Sequence, residues 1–237
     1  MENELNKKLK VLCIGDSLAL PGHGNIFEDT WFYKLQEHFT SSIFASYFKR
    51  ATTMLVLVSE GGGDSKFPKG SDCLEFHQPD VIIIQLGIVD CAPRYLKKSS
   101  VFNKIIERLP SKLKSFCYFF IKKLTKRSTK KADLTPKQFH HYIEAYLNRC
   151  KKTNVKKVIL INICSPDETV KQKSPDLIHA IELYNKIIEE VSSAYDFTSI
   201  VNPLNSNETD IYDDGYHPNP KGNNLVYNAL KAEISLV

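Results

Sequence analysis

Val81-Ile82-Ile83-Ile84-Gln85-Leu86 is apolar on both faces, the pattern of a parallel strand covered by helices above and below rather than of a strand with one wet side. Working outward, Leu9-Lys10-Val11-Leu12-Cys13-Ile14 reads as a second buried strand, ended by Gly15-Asp16-Ser17. Val158 to Ile163 reads as a third. Thr52 to Val58, β-branched and apolar and closed by Gly61-Gly62-Gly63, reads as another, and Ser199 to Val201 as a short last strand. Helical spacing fills the intervals. Thr30 to Phe39 repeats Trp31, Leu35 and Phe39, and Ser71 to His77 is a short candidate. Pro136 to Lys152 has proline in its first turn and a stripe of Phe139, Ile143, Tyr146 and Cys150. Pro175 to Ala194 carries Leu177, Ile181, Tyr184, Ile188 and Val191, and Pro220 to Ile234 ends the pattern.

Strands alternating with helices predict an α/β fold of three layers, α/β/α, around a central, mostly parallel sheet, the flavodoxin-like arrangement. Such sheets bind ligands beyond the carboxyl ends of their strands. That rule places Ser17, the Gly61–Gly63 loop and Gly87 to Asp90 along one edge of the molecule.

The 237 residues suit one α/β domain carrying an insertion, and 42% apolar residues suffice for its core. With 25% charged residues the composition is that of a globular chain rather than a disordered one. A net charge of +5 does not by itself imply nucleic acid. The polar start, Met1 to Lys10, runs straight into a strand with no secretory pattern, and no apolar window is long enough to span a membrane. The six cysteines are scattered without a CxxC pair, which favours reduced thiols and a cytoplasmic location over disulfides or a metal site. His140 and His141 are adjacent on a helix and face different ways, and His23 stands alone, so neither a metal nor a cofactor is expected.

Leu96 to Lys131 breaks the alternation. It holds twelve Lys and Arg against one acid, Glu107. Phe102, Ile105, Ile106 and Leu109, then Leu113, Phe116, Phe120 and Leu124, recur at helical spacing on either side of Pro110. The reading is an inserted helical hairpin or lid. Its basic and apolar faces suit peripheral contact with the inner face of a membrane, and equally a solvated surface; no nucleic-acid motif accompanies the charge.

Two segments carry chemistry. Ile14-Gly15-Asp16-Ser17-Leu18 delivers a serine from a buried strand into a loop. Asp214-Gly215-Tyr216-His217-Pro218 places an acid three residues before a histidine. A serine hydroxyl needs a base to take its proton, and the base needs a carboxylate to fix its tautomer and stabilise its charged form. Ser17, His217 and Asp214 supply the three parts. The alternatives are a helix-capping serine and an Asp-capped turn before Pro218.

The two blocks resemble those of the SGNH (GDSL-type) hydrolases. Gly-Asp-Ser-Leu at the end of the first strand matches Gly15 to Leu18, and Asp-x-x-His-Pro matches Asp214 to Pro218. The likeness spans the chain except the basic insertion. It implies an oxyanion hole built from the Ser17 backbone N–H, a glycine N–H and an asparagine side chain. Gly61-Gly62-Gly63-Asp64-Ser65 resembles the glycine block, with Gly63 the preferred donor and Gly62 the other choice. The asparagine block corresponds to Gly87-Ile88-Val89-Asp90, where Gly87 and Asp90 are kept and Val89 replaces the asparagine. Valine has no donor, and one lost oxyanion donor costs roughly 10²–10³ in rate.

Beyond this block, Arg94 is a candidate clamp for a substrate phosphate or carboxylate, with Asp90 a second substrate-contact candidate whose alternative is a structural hydrogen-bonding role. Residues 87–94 also resemble a segment in proteins of bacterial surface-polysaccharide gene sets, which implies an acylated sugar as substrate. The resemblance as a whole implies an O-acyl (acetyl) esterase acting on a small-molecule or glycan ester. The same triad would serve an acyltransferase, and the missing asparagine leaves open a catalytically silent fold that binds a glycan or partner.

Overall fold

The computed structural model describes residues 8–22, 24–58, 70–96, 100–205 and 208–237. Among the described residues five strands form one sheet: β1 (Lys10–Gly15), β2 (Ile43–Phe48), β3 (Val81–Gln85), β4 (Lys157–Ile161) and β5 (Thr198–Val201). Their order is β2-β1-β3-β4-β5 and every neighbouring pair is parallel. The sheet is therefore wholly parallel, a stronger statement than the mostly parallel one read from sequence. In register, Gly15 stands opposite Phe48 on one side and Gln85 on the other.

Parallel neighbours need crossovers, and helices supply them. These are α1 (Trp31–His38), α2 (Gly70–His77), the single turn α3 (Ile88–Cys91), α4 (Val101–Glu107), α5 (Ser111–Leu124), α6 (Pro136–Lys152), α7 (Glu168–Lys173), α8 (Pro175–Ser192) and α9 (Pro220–Ile234). Helix α1 packs with α9, and α6 with α8, giving a layer on each face of the sheet. Local chemistry sets their starts. The Thr30 hydroxyl accepts from the Tyr33 N–H, Thr135 and Gln138 form a reciprocal capping box ahead of Pro136, and the Asn219 side chain accepts from the Gly222 N–H behind Pro220. From β1 the chain steps outward to β2, then returns across β1 to β3 and on to β5. The reversal lies between β1 and β3, where such sheets open a crevice beyond the strand ends.

The expected strand over Thr52–Val58 is not one. Met54–Leu57 forms a single 3-10 turn that buries Met54, Val56 and Leu57. The second strand is Ile43–Phe48, partly exposed throughout. An edge strand bonds one neighbour only and needs no doubly apolar pattern, so its Phe44 and Phe48 announce themselves only by their packing, edge-on to Phe32 and Trp31.

The basic segment does form two helices, α4 and α5, on either side of Pro110. Arg94 and Ser128 exchange backbone hydrogen bonds of 3.2 and 3.0 Å, closing the excursion at its base. The main hydrophobic core runs from Val11 to Ile234 yet takes no described residue from 100–131. Within that stretch Ile106 and Ile121 are buried apart from it.

Candidate active site

Ser17 opens a short 3-10 turn at the carboxyl end of β1. The Asp16 N–H donates to the Gln85 carbonyl at 3.2 Å, carrying the β1–β3 ladder one step further. The Asp16 carboxylate then caps the turn by accepting from the Leu18 N–H at 2.9 Å. Its side chain is fully buried, and burial pushes the carboxyl up to about 7 against the pull of its backbone hydrogen bonds. Among the described residues the Ser17 backbone N–H has no acceptor.

The Ser17 Oγ lies 3.1 Å from His217 Nε2, across 200 residues of chain, and His217 Nδ1 lies 2.8 Å from Asp214 Oδ2. The other Asp214 oxygen accepts from the backbone N–H groups of His217 (3.0 Å) and Tyr216 (3.4 Å). Burial alone would raise the Asp214 carboxyl. The His217 backbone and ring donors and the His217 charge outweigh it, so the group sits below the ordinary carboxylate range. An ionised Asp214 holds the proton of His217 on Nδ1 and leaves the Nε2 lone pair facing the serine hydroxyl. The spacing also selects between neighbouring acids: Asp213 turns to Asn25, whose Nδ2 donates to it at 2.8 Å.

Residues with no sequence signal hold this block in place. Asn25 Nδ2 also donates to the Pro218 carbonyl at 2.9 Å, tying the loop after Ser17 to the histidine loop. Asn223 Nδ2 donates to the same carbonyl at 3.1 Å, while Asn223 Oδ1 accepts from the Trp31 N–H at 3.1 Å. The Trp31 indole donates to Gln85 Oε1 at 2.9 Å. A continuous path thus joins β3, α1 and α9 to Pro218.

The second edge segment behaves differently from expectation in part. Gly87 begins α3 with φ at 128°, and a Cβ there would lie 2.6 Å from Ile163 Cδ1. Val89 is buried in the core and its carbonyl accepts from Arg94 Nη2 at 3.2 Å. The same Arg94 nitrogen pairs with Asp133 at 3.2 Å, so this arginine first of all fastens the chain just after the insertion to α3. Asp90, expected to touch substrate, is 0% exposed. Its Oδ1 accepts from the Met54 N–H at 2.9 Å, which makes it a structural carboxyl under the Met54 turn. Gly61 to Ser65, including the candidate donor Gly63, and His23 lie outside the described residues. No group of His, Cys, Asp and Glu among the described residues has the geometry of a metal site.

Burial pushes Asp90 up to about 8, with the nearby Asp16 and Asp133 charges adding to it and the Met54 N–H opposing. An unfolded chain releases this proton near pH ~4. Between that value and about 8 the folded protein holds a proton the unfolded chain has lost, so stability falls as pH rises through the interval. Asp90→Asn is neutral throughout. Urea unfolding at pH 5 and pH 8 is expected to show a steeper loss in the wild type, by about 1.4 kcal/mol or more. Equal losses in the two proteins would mean that Asp90 is ionised in the fold.

The sequence pattern of the GDSL-like lipase/acylhydrolase family matches residues 11–230. No curated protein sequence matches the chain. Among solved structures, an alpha/beta hydrolase from the metagenome of Lake Arreo superposes with a TM-score of 0.61 at 14% identity, over 97% of each chain. A catalytic mutant of the acetylxylan esterase Axe2 from Geobacillus stearothermophilus gives 0.59 at 14%, over 97% of this chain and 96% of that one. TesA gives 0.58 at 15%, over 95% and 97%. At such identities the superpositions speak for the fold, and the family pattern speaks for descent: this chain belongs to the GDSL-like lipase/acylhydrolase family and is an esterase of the SGNH type.

Proposed function

We propose that the protein hydrolyses O-acyl esters, acetyl esters of a carbohydrate foremost, through an acyl-enzyme on Ser17. The observation that carries this reading is the run of contacts from Ser17 Oγ to His217 Nε2 at 3.1 Å and from His217 Nδ1 to Asp214 at 2.8 Å. In the first half-reaction Ser17 Oγ attacks the ester carbonyl while His217 Nε2 takes its proton. Asp214 stabilises the imidazolium. The tetrahedral intermediate then breaks its bond to the alcohol, which leaves with the proton returned by His217. In the second, water gives a proton to His217 and attacks the acyl-serine, releasing the acid and restoring Ser17.

Charge developing on the carbonyl oxygen requires donors aimed at it. The Ser17 N–H is the first candidate, with Gly87 and Gly63 the glycine donors to be tested beside it. Val89 offers no side-chain donor, so this reading takes its donors from the backbone. A sugar acetate is favoured by the likeness to the acetylxylan esterase Axe2. The decisive experiment is a screen of acetylated sugars and short aryl esters, run side by side with Ser17→Ala.

The insertion is proposed as a lid that also meets an anionic membrane surface. Leu113, Phe116, Phe120 and Leu124 repeat along one face of α5 and remain 41–78% exposed, with Phe116 and Phe120 rings 4.7 Å apart. Lys112 and Lys123 flank them. No helix among the described residues is long and apolar enough to cross a membrane, so the contact would lie in the interface. Each Lys or Arg near an anionic surface is worth about 1 kcal/mol. The protein is expected to sediment with vesicles containing phosphatidylglycerol at low salt and to release as salt rises. No binding to such vesicles at low salt would leave the lid alone.

A further inference from the structure

A second feature lies on the inward side of the insertion. A cavity of about 700 Å³ opens between the stretch leaving α3 and the face of α5 opposite its exposed apolar stripe. Arg94, Tyr95, Tyr118, Lys122, Arg127 and Asp133 line it. Three cations face one carboxylate, and that carboxylate is already paired, since Asp133 accepts from Arg94 at 3.2 Å. Arg94 is committed there and to the Val89 carbonyl. Arg127 sits over the Tyr95 ring, 5.0 Å from its centroid, and Tyr95 is held from behind by Lys131 Nζ, which donates to its carbonyl at 2.8 Å. Among the described residues neither Lys122 nor Arg127 has an ion-pair partner.

The cavity opens at the carboxyl ends of the strands: Ala51, just past β2, and Arg94, past β3 and α3, line it, and Ser17 leaves β1 at the same end of the sheet. Tyr216, whose ring lies 4.4 Å from that of His217, feels the charge of both arginines. Burial pushes the Tyr216 phenol up and the Asp214 and Asp16 charges add to it, while Arg94 and Arg127 pull it back. A surplus of two unpaired cations against an aromatic wall, at the end of the sheet that carries Ser17, suits a doubly charged oxyanion: the planar guanidinium matches phosphate oxygens and the ammonium adds a point charge.

We propose that this cavity is a subsite for a phosphate group carried by the acylated substrate, bound by Lys122 and Arg127 with Tyr95 as its wall, so that the preferred substrate is an acylated sugar phosphate. This rests on the serine-esterase reading above. Lys122 faces the cavity and not the apolar stripe, which separates the subsite from the surface proposed to meet lipid.

The test compares an O-acetylated hexose 1-phosphate with the same acetylated hexose lacking phosphate, at low ionic strength, in wild type, Lys122→Ala, Arg127→Ala and the double variant. In the wild type, kcat/KM is expected to favour the phosphorylated ester by roughly tenfold or more, through KM, since hydrogen bonds to charged groups are of that strength. The double variant is expected to bring the ratio close to one, and about 0.5 M salt to erode it in the wild type. No preference in the wild type, or a ratio unchanged in a double variant that melts as the wild type does, overturns the proposal. If neither ester is turned over, the esterase reading fails, and calorimetry with hexose 1-phosphate and the Ser17→Ala protein decides the subsite separately. Binding that the added Lys122 and Arg127 substitutions abolish supports it, and no binding overturns it. Inhibition by phosphatidylglycerol vesicles but not by hexose 1-phosphate would assign these cations to a lipid surface and overturn it as well.

Discussion

Ser17→Ala and His217→Ala are each expected to lower ester turnover by roughly 10³-fold or more, with the double variant little worse than either. The two groups act as one unit: without the serine the base has nothing to activate, and without the base the hydroxyl stays protonated. Their heavy atoms stand 3.1 Å apart, a distance at which the proton moves without rearrangement. Asp214→Asn is expected to fail for a different reason. An amide facing Nδ1 favours the tautomer whose proton sits on Nε2, so the ring would present a donor to a serine that needs an acceptor. Kinetics with an aryl acetate, alongside circular dichroism to confirm folding, checks all three. A covalent serine probe should label the wild type at Ser17. Near-normal turnover in Ser17→Ala would place the chemistry elsewhere, and a folded wild type that neither turns over esters nor takes the probe would mark a silent fold.

The position of this site was legible because it depends on short local patterns. Val81–Ile84 is apolar at both parities since helices cover both sides of β3, and the Asp-x-x-His spacing survives because it is a turn geometry rather than a distant contact. Pro220 to Ile234 was read with its bounds because proline and an Asn cap mark its start. What failed depends on tertiary context. The β-branched run at Thr52–Val58 has strand propensity but is spent in a buried turn, whose Met54 N–H is satisfied by Asp90 instead of a neighbouring strand. The true edge strand, with Ser46 and Tyr47 between its phenylalanines, has no period to betray it. Asp90 reads either as a substrate contact or as a structural hydrogen-bonding residue, and only the Met54 N–H that folding brings to it tells the two apart. Asn25 had no signal at all, since its role is defined only by the partners that folding brings to it.

The histidine loop has a weak point that the triad itself does not reveal. Gly215 lies between Asp214 and the two backbone N–H groups that Asp214 accepts, and it adopts φ of 99°. A Cβ there would stand 2.6 Å from Val170 Cγ2 and 3.0 Å from Asp167 Oδ1, while the Gly215 carbonyl already accepts from the Asp167 N–H at 2.7 Å. In Gly215→Ala the chain can keep its path, at a cost of about 1–3 kcal/mol for the strained backbone, or it can relax and carry Asp214 away from His217. Relaxation is the easier course, because α7 is a short helix with no fully buried residue, while His217 is tied down by Pro218 and the asparagines beneath it. The population with a correctly oriented imidazole then falls by the same free energy, which corresponds to a loss of roughly 10–100-fold in kcat. Global unfolding is expected to shift by only a few degrees, since the strain is relieved locally rather than carried by the core. Turnover within about twofold of the wild type, at an unchanged pH–rate profile, would show that the Asp214–His217 pair is held by its flanking contacts alone and does not need the left-handed turn.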